Sequence, residues 1–95
     1  MADMKPELVE EPNGSKWWYL NDKLHREDGP AVEWADGRKY WYLNGGYHRE
    51  DGPAVEWADG RKWWFLNGKE LTMTDWLIAT EKDPDTKTWM ILRYG

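Results

Sequence analysis

Two histidines, each followed by acidic residues, come closest to a chemical site by residue type and spacing. The same pattern occurs twice, 23 residues apart: His25, Glu27 and Asp28, then His48, Glu50 and Asp51. Imidazole and carboxylate groups together can bind a divalent metal or act as acid and base. The two copies are expected to lie two strand spacings apart, roughly 10 Å, which is too far for one metal shared between them.

The same residues stand in loops that must reverse the chain. Asp28-Gly29-Pro30 and Asp51-Gly52-Pro53 favour a turn followed by extended backbone. Turn chemistry is therefore the preferred interpretation, with a metal site and acid–base catalysis as the alternatives. The chain also lacks a nucleophile motif and a phosphate-binding loop. We predict no enzyme activity, no catalytic residue, no cofactor and no metal.

These loops belong to a tandem repeat. The segment His25–Ala35 recurs unchanged as His48–Ala58, and a third copy begins at Asp59 and departs from the pattern after Lys69. Each unit reads as an aromatic strand, a tight turn, a loop, and a shorter strand opened by proline. Because the connections are short, neighbouring strands are expected to pair antiparallel. The predicted strands are Lys16–Leu20, Pro30–Ala35, Lys39–Leu43, Pro53–Ala58 and Lys62–Leu66.

The predicted fold is mainly β, an antiparallel meander of tandem β-hairpin repeats with a 23-residue period, followed by a short C-terminal helix and a final strand. Residues 1–12 form an acidic N-terminal arm, which is expected to be mobile unless it docks. Residues 13–69 hold the hairpin repeats, and residues 70–95 form a C-terminal helix–strand cap.

Capping residues place the elements of that C-terminal segment. Thr72 or Thr74 can cap a short helix that runs to Thr80, with Asp75 in its first turn. The residues Asp83-Pro84-Asp85 are interpreted as the end of this helix. Alternation of apolar side chains then predicts a strand over Lys87–Tyr94.

Aromatic side chains supply the core, since the chain has nine tryptophans, five tyrosines and one phenylalanine. Each buried aromatic ring removes roughly 150–250 Å² from water. Alternation along the strands makes two rows. Trp18, Trp41 and Trp64 are interpreted as core, with stacking of sugars or bases as the alternative. A thin sheet cannot bury both rows equally, so the second row is a candidate binding face that a partner can cover: Trp17, Tyr19, Tyr40, Tyr42, Trp63 and Phe65.

The acidic loop residues and one tryptophan of the cap complete the predicted partner-binding set: Glu27, Asp28, Glu50, Asp51 and Trp76. A net charge of -5 makes direct binding to nucleic acid unattractive, since that affinity comes mainly from lysine and arginine. A positively charged partner fits better. An ordinary solvated surface is one interpretation of the acidic residues, and mimicry of nucleic acid in the basic groove of a host enzyme is another.

Composition also bears on location. The chain has no cysteine, so neither a disulfide nor a thiolate metal site is available, and a reducing interior is permitted. No stretch approaches the roughly 20 apolar residues of a membrane span, and the first residues are acidic rather than basic followed by apolar. We therefore expect a cytoplasmic protein, in the cytoplasm of a host cell if the chain is viral, without membrane contact.

The repeated sequence motif resembles that of the MORN-repeat-variant family. The likeness lies in Trp-Tyr-Leu-Asn-Gly followed by His-Arg-Glu-Asp-Gly-Pro-Ala-Val-Glu-Trp-Ala-Asp-Gly, and residues 13–69 carry it. This form is similar to repeats in small proteins of bacteriophages and large viruses. The resemblance implies stacked β-hairpins and an interaction role, with no catalytic residues to carry over.

Three functions follow as hypotheses. The first is a phage-type accessory protein that binds and inhibits a host protein, such as a nucleic-acid-handling component of antiviral, CRISPR-like defence. The second is capture of a nucleotide or glycan by the aromatic rows. The third is self-assembly into a homo-oligomer through an unpaired sheet edge.

Overall fold

The computed structural model describes residues 5–95, so the first four residues of the predicted arm lie outside the described part of the chain. Ten strands and two helices occur within it. The strands are β1 (Glu7–Glu10), β2 (Lys16–Leu20), β3 (Lys23–Leu24), β4 (Val32–Glu33), β5 (Lys39–Tyr40), β6 (Tyr42–Leu43), β7 (Gly46–Tyr47), β8 (Val55–Glu56), β9 (Lys62–Leu66) and β10 (Lys69–Leu71). The helices are α1 (Met73–Ala79) and α2 (Pro84–Tyr94).

The strands follow one another across the sheet. One sheet has the order β1-β2-β4-β5-β8-β9-β10, with β3 paired to β2, and β6 and β7 form a separate hairpin. Every pairing in the described residues is antiparallel. The prediction of a mainly antiparallel β fold with a short C-terminal helix is confirmed.

Asn-Gly dipeptides close the β6–β7 and β9–β10 hairpins, in the second and third repeat units. Asn44 and Gly45 have φ angles of 50° and 83°, and Asn67 and Gly68 have φ angles of 51° and 80°. Two successive residues at positive φ match the twist of the flanking strands, and asparagine and glycine adopt this conformation at low cost. The tight turn that the sequence predicts after the aromatic strand is therefore confirmed in these two units.

The middle aromatic strand is divided, although the sequence predicted one strand over Lys39–Leu43. β2 stays continuous at the equivalent Trp18 because β1 pairs along it, whereas Trp41 lies between β5 and β6. Its N–H donates to the Ala54 carbonyl (2.7 Å), and its carbonyl accepts from the His48 N–H (3.0 Å). The chain therefore turns at Trp41 from the large sheet into its own hairpin.

The strands that begin with proline are shorter than predicted. Pro30–Ala35 and Pro53–Ala58 reduce to the two-residue strands β4 and β8. Proline has no N–H to donate to a neighbouring strand. At the other end, the Trp34 N–H already bonds to the Arg38 carbonyl (2.9 Å) within the next turn. Only the central Val-Glu pair is left for the ladder.

The acidic arm is docked in its described part. β1 pairs with β2 over four residues, from Glu7 opposite Tyr19 to Glu10 opposite Lys16. The Glu11 N–H continues the ladder by donating to the Ser15 carbonyl (2.9 Å). The arm thus forms the edge strand of the sheet.

Helix α1 begins where its capping residue predicts. The Thr72 side chain accepts a hydrogen bond from the Asp75 N–H (3.1 Å), and Asp75 lies in the first turn. The helix packs against β9 and β10. Trp76 and Leu77 are its buried residues, so this face closes the last hairpin.

The prediction of a final strand over Lys87–Tyr94 is wrong, because this segment belongs to helix α2. Asp83 does not end a helix here but caps one, accepting from the Thr86 N–H (3.1 Å), and Pro84 occupies the first turn. Proline at this position is favoured because its missing N–H would have no partner in the helix. A short apolar run is compatible with either periodicity, and capping decided between them.

The core has two parts. Small and β-branched side chains fill the repeats: Ala31, Val32, Ala54 and Val55 are all buried. At the C-terminal end, Trp64 packs with Trp76, Leu77 and Met90 from the helices. The helices therefore add large apolar side chains to the core beside the last unit.

Candidate protein-binding surface

Each histidine of the repeated loop ties its unit to the next Asn-Gly turn. The Nδ1 atom of His48 accepts from the Asn67 N–H (2.9 Å), and His25 makes the equivalent bond with Asn44 (2.9 Å). A ring nitrogen that accepts from an N–H carries no proton, so the neutral ring holds its proton on Nε2. In the second copy Nε2 lies 2.9 Å from Glu50 Oε2. The histidine thus acts as a spacer, because its ring spans the distance between the Asn-Gly turn of the next unit and the glutamate of its own loop.

This bonding uses the nitrogen atoms that a metal would need. Nδ1 already faces an N–H donor, and Nε2 faces a single carboxylate. In the part of the chain that the structure describes, no three His, Cys, Asp or Glu side chains form a group that could hold a metal ion. The repeated loop bends at residues 27–29 and 50–52, and its histidine and arginine side chains bond within the chain.

Each arginine of the repeated loop lies over the tryptophan of its own unit. The Arg26 guanidinium carbon is 3.9 Å from the centroid of the Trp18 ring, and that of Arg49 is 3.8 Å from the centroid of Trp41. A guanidinium over an indole face is attracted by the ring quadrupole. The first aromatic row is thereby covered by charged side chains in these two units.

Hydrogen bonds hold the second arginine in this position. Arg49 donates from Nε to Asp51 (2.7 Å) and from Nη1 to the Pro53 carbonyl (3.0 Å) and to Glu56 (2.6 Å). Arg26 makes the corresponding contacts in the first unit. The planar fork of arginine suits such multiple acceptors. The loop conformation is therefore set by a network in which Asp51 is 83% exposed and Glu56 is 34% exposed.

The third unit replaces the arginine with a helix. Leu71 and Thr72 stand where the other units have histidine and arginine. The Trp64 ring has its centroid 4.6 Å from that of Trp76 on α1. The Trp76 Nε1–H donates to the Arg49 carbonyl (2.9 Å), which joins the cap to the preceding loop.

Trp76 is therefore a correction to the predicted partner-binding set. Its side chain is wholly buried, with 0% of its surface exposed. Trp76 was included in that set because the C-terminal cap was expected to contribute to the partner-binding surface. The missing arginine of the third unit leaves the Trp64 face open, and Trp76 fills that space.

The acidic residues of both loops come together around one cavity of about 550 Å³. Trp41 and Leu43 also line it. The acidic side chains are 73% to 86% exposed: Glu27, Asp28, Glu50 and Asp51. Structure thus brings four predicted partner-binding residues into one place.

A second cavity of about 500 Å³ adjoins the first. Both are lined by Arg49 and Asp51, and the second is also lined by Trp89, Met90 and Tyr94 of α2. An acidic surface therefore continues into one that is aromatic and also carries Lys82 and Arg93. We call this combined surface the loop face, defined by Glu27, Asp28, Glu50, Asp51 and Trp89.

Helix α2 presents several apolar side chains to solvent. Trp89, Ile91 and Leu92 are 55%, 52% and 81% exposed, whereas Met90 between them is buried. Exposed apolar residues that lie close together, rimmed by polar ones, are typical of interaction sites. Sequence reasoning missed Trp89 as a site residue because it assigned the segment to a strand. The run of four apolar residues at positions 89–92 was the available signal.

The second aromatic row packs largely within the chain. The Tyr47 ring centroid lies 4.6 Å from that of Tyr42 and 4.8 Å from that of Phe65. Trp63 contacts Trp57 edge-on at 5.4 Å, as Trp17 contacts Trp34 at 5.2 Å. Tyr19 alone in this row is classed as exposed, at 36%.

A groove of about 270 Å³ remains beside this row. It is lined only by uncharged side chains, most of them aromatic: Trp17, Leu24, Val32, Trp34, Tyr40, Tyr42 and Tyr47. Burial raises the pKa of Tyr42 well above its usual value, and a hydrogen bond with the Tyr47 hydroxyl raises it further. Tyr42 is therefore a neutral hydroxyl at physiological pH.

Within residues 5–95, no helix is long and apolar enough to cross a membrane.

Comparison of the chain with protein-family models, with curated proteins and with solved structures gives no match in any of the three.

Proposed function

We propose that this chain is a non-enzymatic protein-binding module that uses the loop face to bind a positively charged surface on another protein. The observation that carries the proposal is the convergence of Glu27, Asp28, Glu50 and Asp51 on one cavity next to exposed Trp89. In the first cavity the four carboxylates outnumber the two arginines, Arg26 and Arg49, so its lining is net negative, whereas Lys82 and Arg93 line the adjoining cavity. Charge complementarity accelerates association and excludes wrong partners.

The loop face also has the composition of a binding site. Tryptophan is enriched among the residues that contribute most to protein–protein affinity, and it is usually surrounded by polar residues. Trp89 lies edge-on to Tyr94, with the ring centroids 6.3 Å apart, and Asp51 of the second acidic loop lines the same cavity. A partner with a basic groove would place its lysine and arginine residues on the carboxylates and an apolar side chain on the indole.

The resemblance to repeats in small viral proteins suggests which partner this is. A phage-type accessory protein in the host cytoplasm would bind a host protein and inhibit it. A nucleic-acid-handling component of antiviral, CRISPR-like defence is the class of partner that fits, because its nucleic-acid groove is basic. The acidic loops would occupy this groove in place of phosphates.

Neutralising two carboxylates tests the proposal. The double variant Glu27→Gln plus Glu50→Gln removes charge from the loop face and leaves the Arg–Asp pairs in place. We expect about a tenfold loss of affinity for a basic partner captured from host lysate, and Trp89→Ala should cost about 2 kcal/mol of binding energy. Surface plasmon resonance at two salt concentrations measures both.

A matched control makes the same change of charge outside the loop face. Asp22→Asn plus Glu70→Gln alters two exposed carboxylates outside the loop face, and the affinity of this variant should stay within about twofold of the parent. Equal losses in both double variants would show that net charge alone drives association and would contradict a specific loop face.

Ligand capture is the second candidate, and the uncharged aromatic groove favours it. Trp17, Trp34 and Tyr40 line this groove, and aromatic rings stack on bases and sugars. If a nucleotide or an oligosaccharide binds there, tryptophan emission should change on titration, and Trp34→Ala should abolish the change. If neither nucleotides nor oligosaccharides change the tryptophan emission, protein binding would be left as the function.

A further inference from the structure

The outer edge of β1 is a candidate interaction surface separate from the loop face. β1 is the first strand in the sheet order, and at the other end of that order helix α1 packs against β10. Among the described residues, β2 is the strand that pairs with β1. An unpaired strand edge offers backbone donors and acceptors to another chain.

Hydrogen bonds of β2 show which backbone groups point toward β1. The Trp18 N–H donates to the Ala31 carbonyl, and the Trp18 carbonyl accepts from the His25 N–H, both on the side away from β1. Backbone groups alternate in direction along a strand. The N–H and carbonyl groups of Trp17 and Tyr19 therefore point toward β1.

The register then identifies the outward groups of β1 itself. Val9 lies opposite Trp17, and Glu7 lies opposite Tyr19, so these two residues bond to β2. Leu8 and Glu10 alternate with them and direct their N–H and carbonyl groups away from the sheet. Two donors and two acceptors are thus spaced for an added strand.

Side chains along β1 determine which strand fits there. Glu7 and Glu10 are exposed and acidic, and Glu11 follows directly. Leu8 and Val9 are 48% and 49% exposed, so an added strand can cover apolar surface on both faces. Pairing with a second copy would place the glutamates of two β1 strands on one narrow ribbon, and like charges across strands are destabilising.

We infer that the β1 edge binds an extended basic segment of a partner protein by strand addition. Main-chain hydrogen bonds to Leu8 and Glu10 would supply the pairing, and lysine or arginine side chains would lie beside Glu7 and Glu10. This contact is independent of the loop face and goes beyond the proposed function. It would extend the area over which one partner is held.

A proline scan of β1 tests the inference in the full chain. Leu8→Pro removes an outward N–H and spares the bonds to β2, whereas Leu8→Ala shortens the side chain and keeps the N–H. The probe is a fluorescent peptide of sequence Arg-Val-Lys-Val-Arg-Val, with Glu-Val-Glu-Val-Glu-Val as its acidic counterpart. We expect Leu8→Pro to weaken binding of the basic peptide about tenfold and Leu8→Ala to weaken it less. Fluorescence anisotropy gives the dissociation constants.

Hydrogen exchange of the unaltered chain gives a second readout that does not depend on any variant. The basic peptide should slow exchange of the Leu8 and Glu10 amides and leave the Val9 amide, already bonded to β2, unchanged. Equal binding of the acidic peptide, or equal affinity of the parent and Leu8→Pro for the basic one, would overturn the inference. So would a dimer in sedimentation that Leu8→Pro abolishes, because β1 would then pair with a second copy.

Discussion

Trp76→Ala is expected to lower the free energy of unfolding by about 3–5 kcal/mol. The side chain is wholly buried, and its ring contacts Trp64. Its loss leaves a cavity at the junction of α1 with the last hairpin and removes the donor to the Arg49 carbonyl. A domain of this size is stable by only about 5–15 kcal/mol, so the transition should shift far to lower denaturant. Urea denaturation followed by circular dichroism measures it.

Two variants separate burial from hydrogen bonding in that result. Trp89→Ala removes an indole that is 55% exposed, and we expect it to cost less than about 1 kcal/mol of stability. Trp76→Phe keeps most of the packing and loses the indole donor, so its loss of stability should lie between those of Trp76→Ala and Trp89→Ala. Comparable losses for Trp76→Ala and Trp89→Ala would mean that the helical cap does not close the core.

His25→Ala combined with His48→Ala is expected to cost about 2–4 kcal/mol of stability, because each change leaves an N–H of an Asn-Gly turn without its acceptor. The matched variant replaces both histidines with asparagine. Its side-chain oxygen stands close to the position of Nδ1, so it can accept the same bond. We expect the asparagine variant to recover more than half of the loss in urea denaturation.

The same pair of variants distinguishes turn chemistry from metal binding. An asparagine in place of each histidine would be a poor ligand for zinc, so a metal role predicts no recovery. If the asparagine variant is as unstable as the alanine variant, or if a chelator lowers the stability of the unaltered chain, the spacer role of the histidines is wrong.

Local chemistry explains why much of the fold was predictable. Asn44-Gly45 and Asn67-Gly68 strongly favour a tight turn, and short connections then favour antiparallel neighbours. Thr72 or Thr74 was likewise predicted to cap α1, and Thr72 does so. The segment at residues 87–94 was predicted wrongly because its four consecutive apolar residues fit either element. Reading Asp83 and Pro84 as a cap rather than a stop would have corrected it.

The candidate site was predictable only in part. The acidic residues of the loops were identified because a repeated motif with exposed carboxylates is visible in the chain. Their convergence with Trp89 was not, because residues about 40 to 60 positions apart meet only when α2 folds back beside Arg49 and Asp51. No local pattern records such a contact.

The histidine–glutamate–aspartate pattern itself shows the division between sequence and tertiary structure. The sequence alone determined that it recurs, and it predicted a chain reversal at each copy and a spacing of roughly 10 Å between them. Tertiary structure decided which atoms each side chain contacts. Nδ1 accepts from the turn of the following unit, arginine lies over tryptophan, and the carboxylates remain exposed. These side-chain contacts depend on the distance between neighbouring units, and strand pairing in the sheet sets that distance.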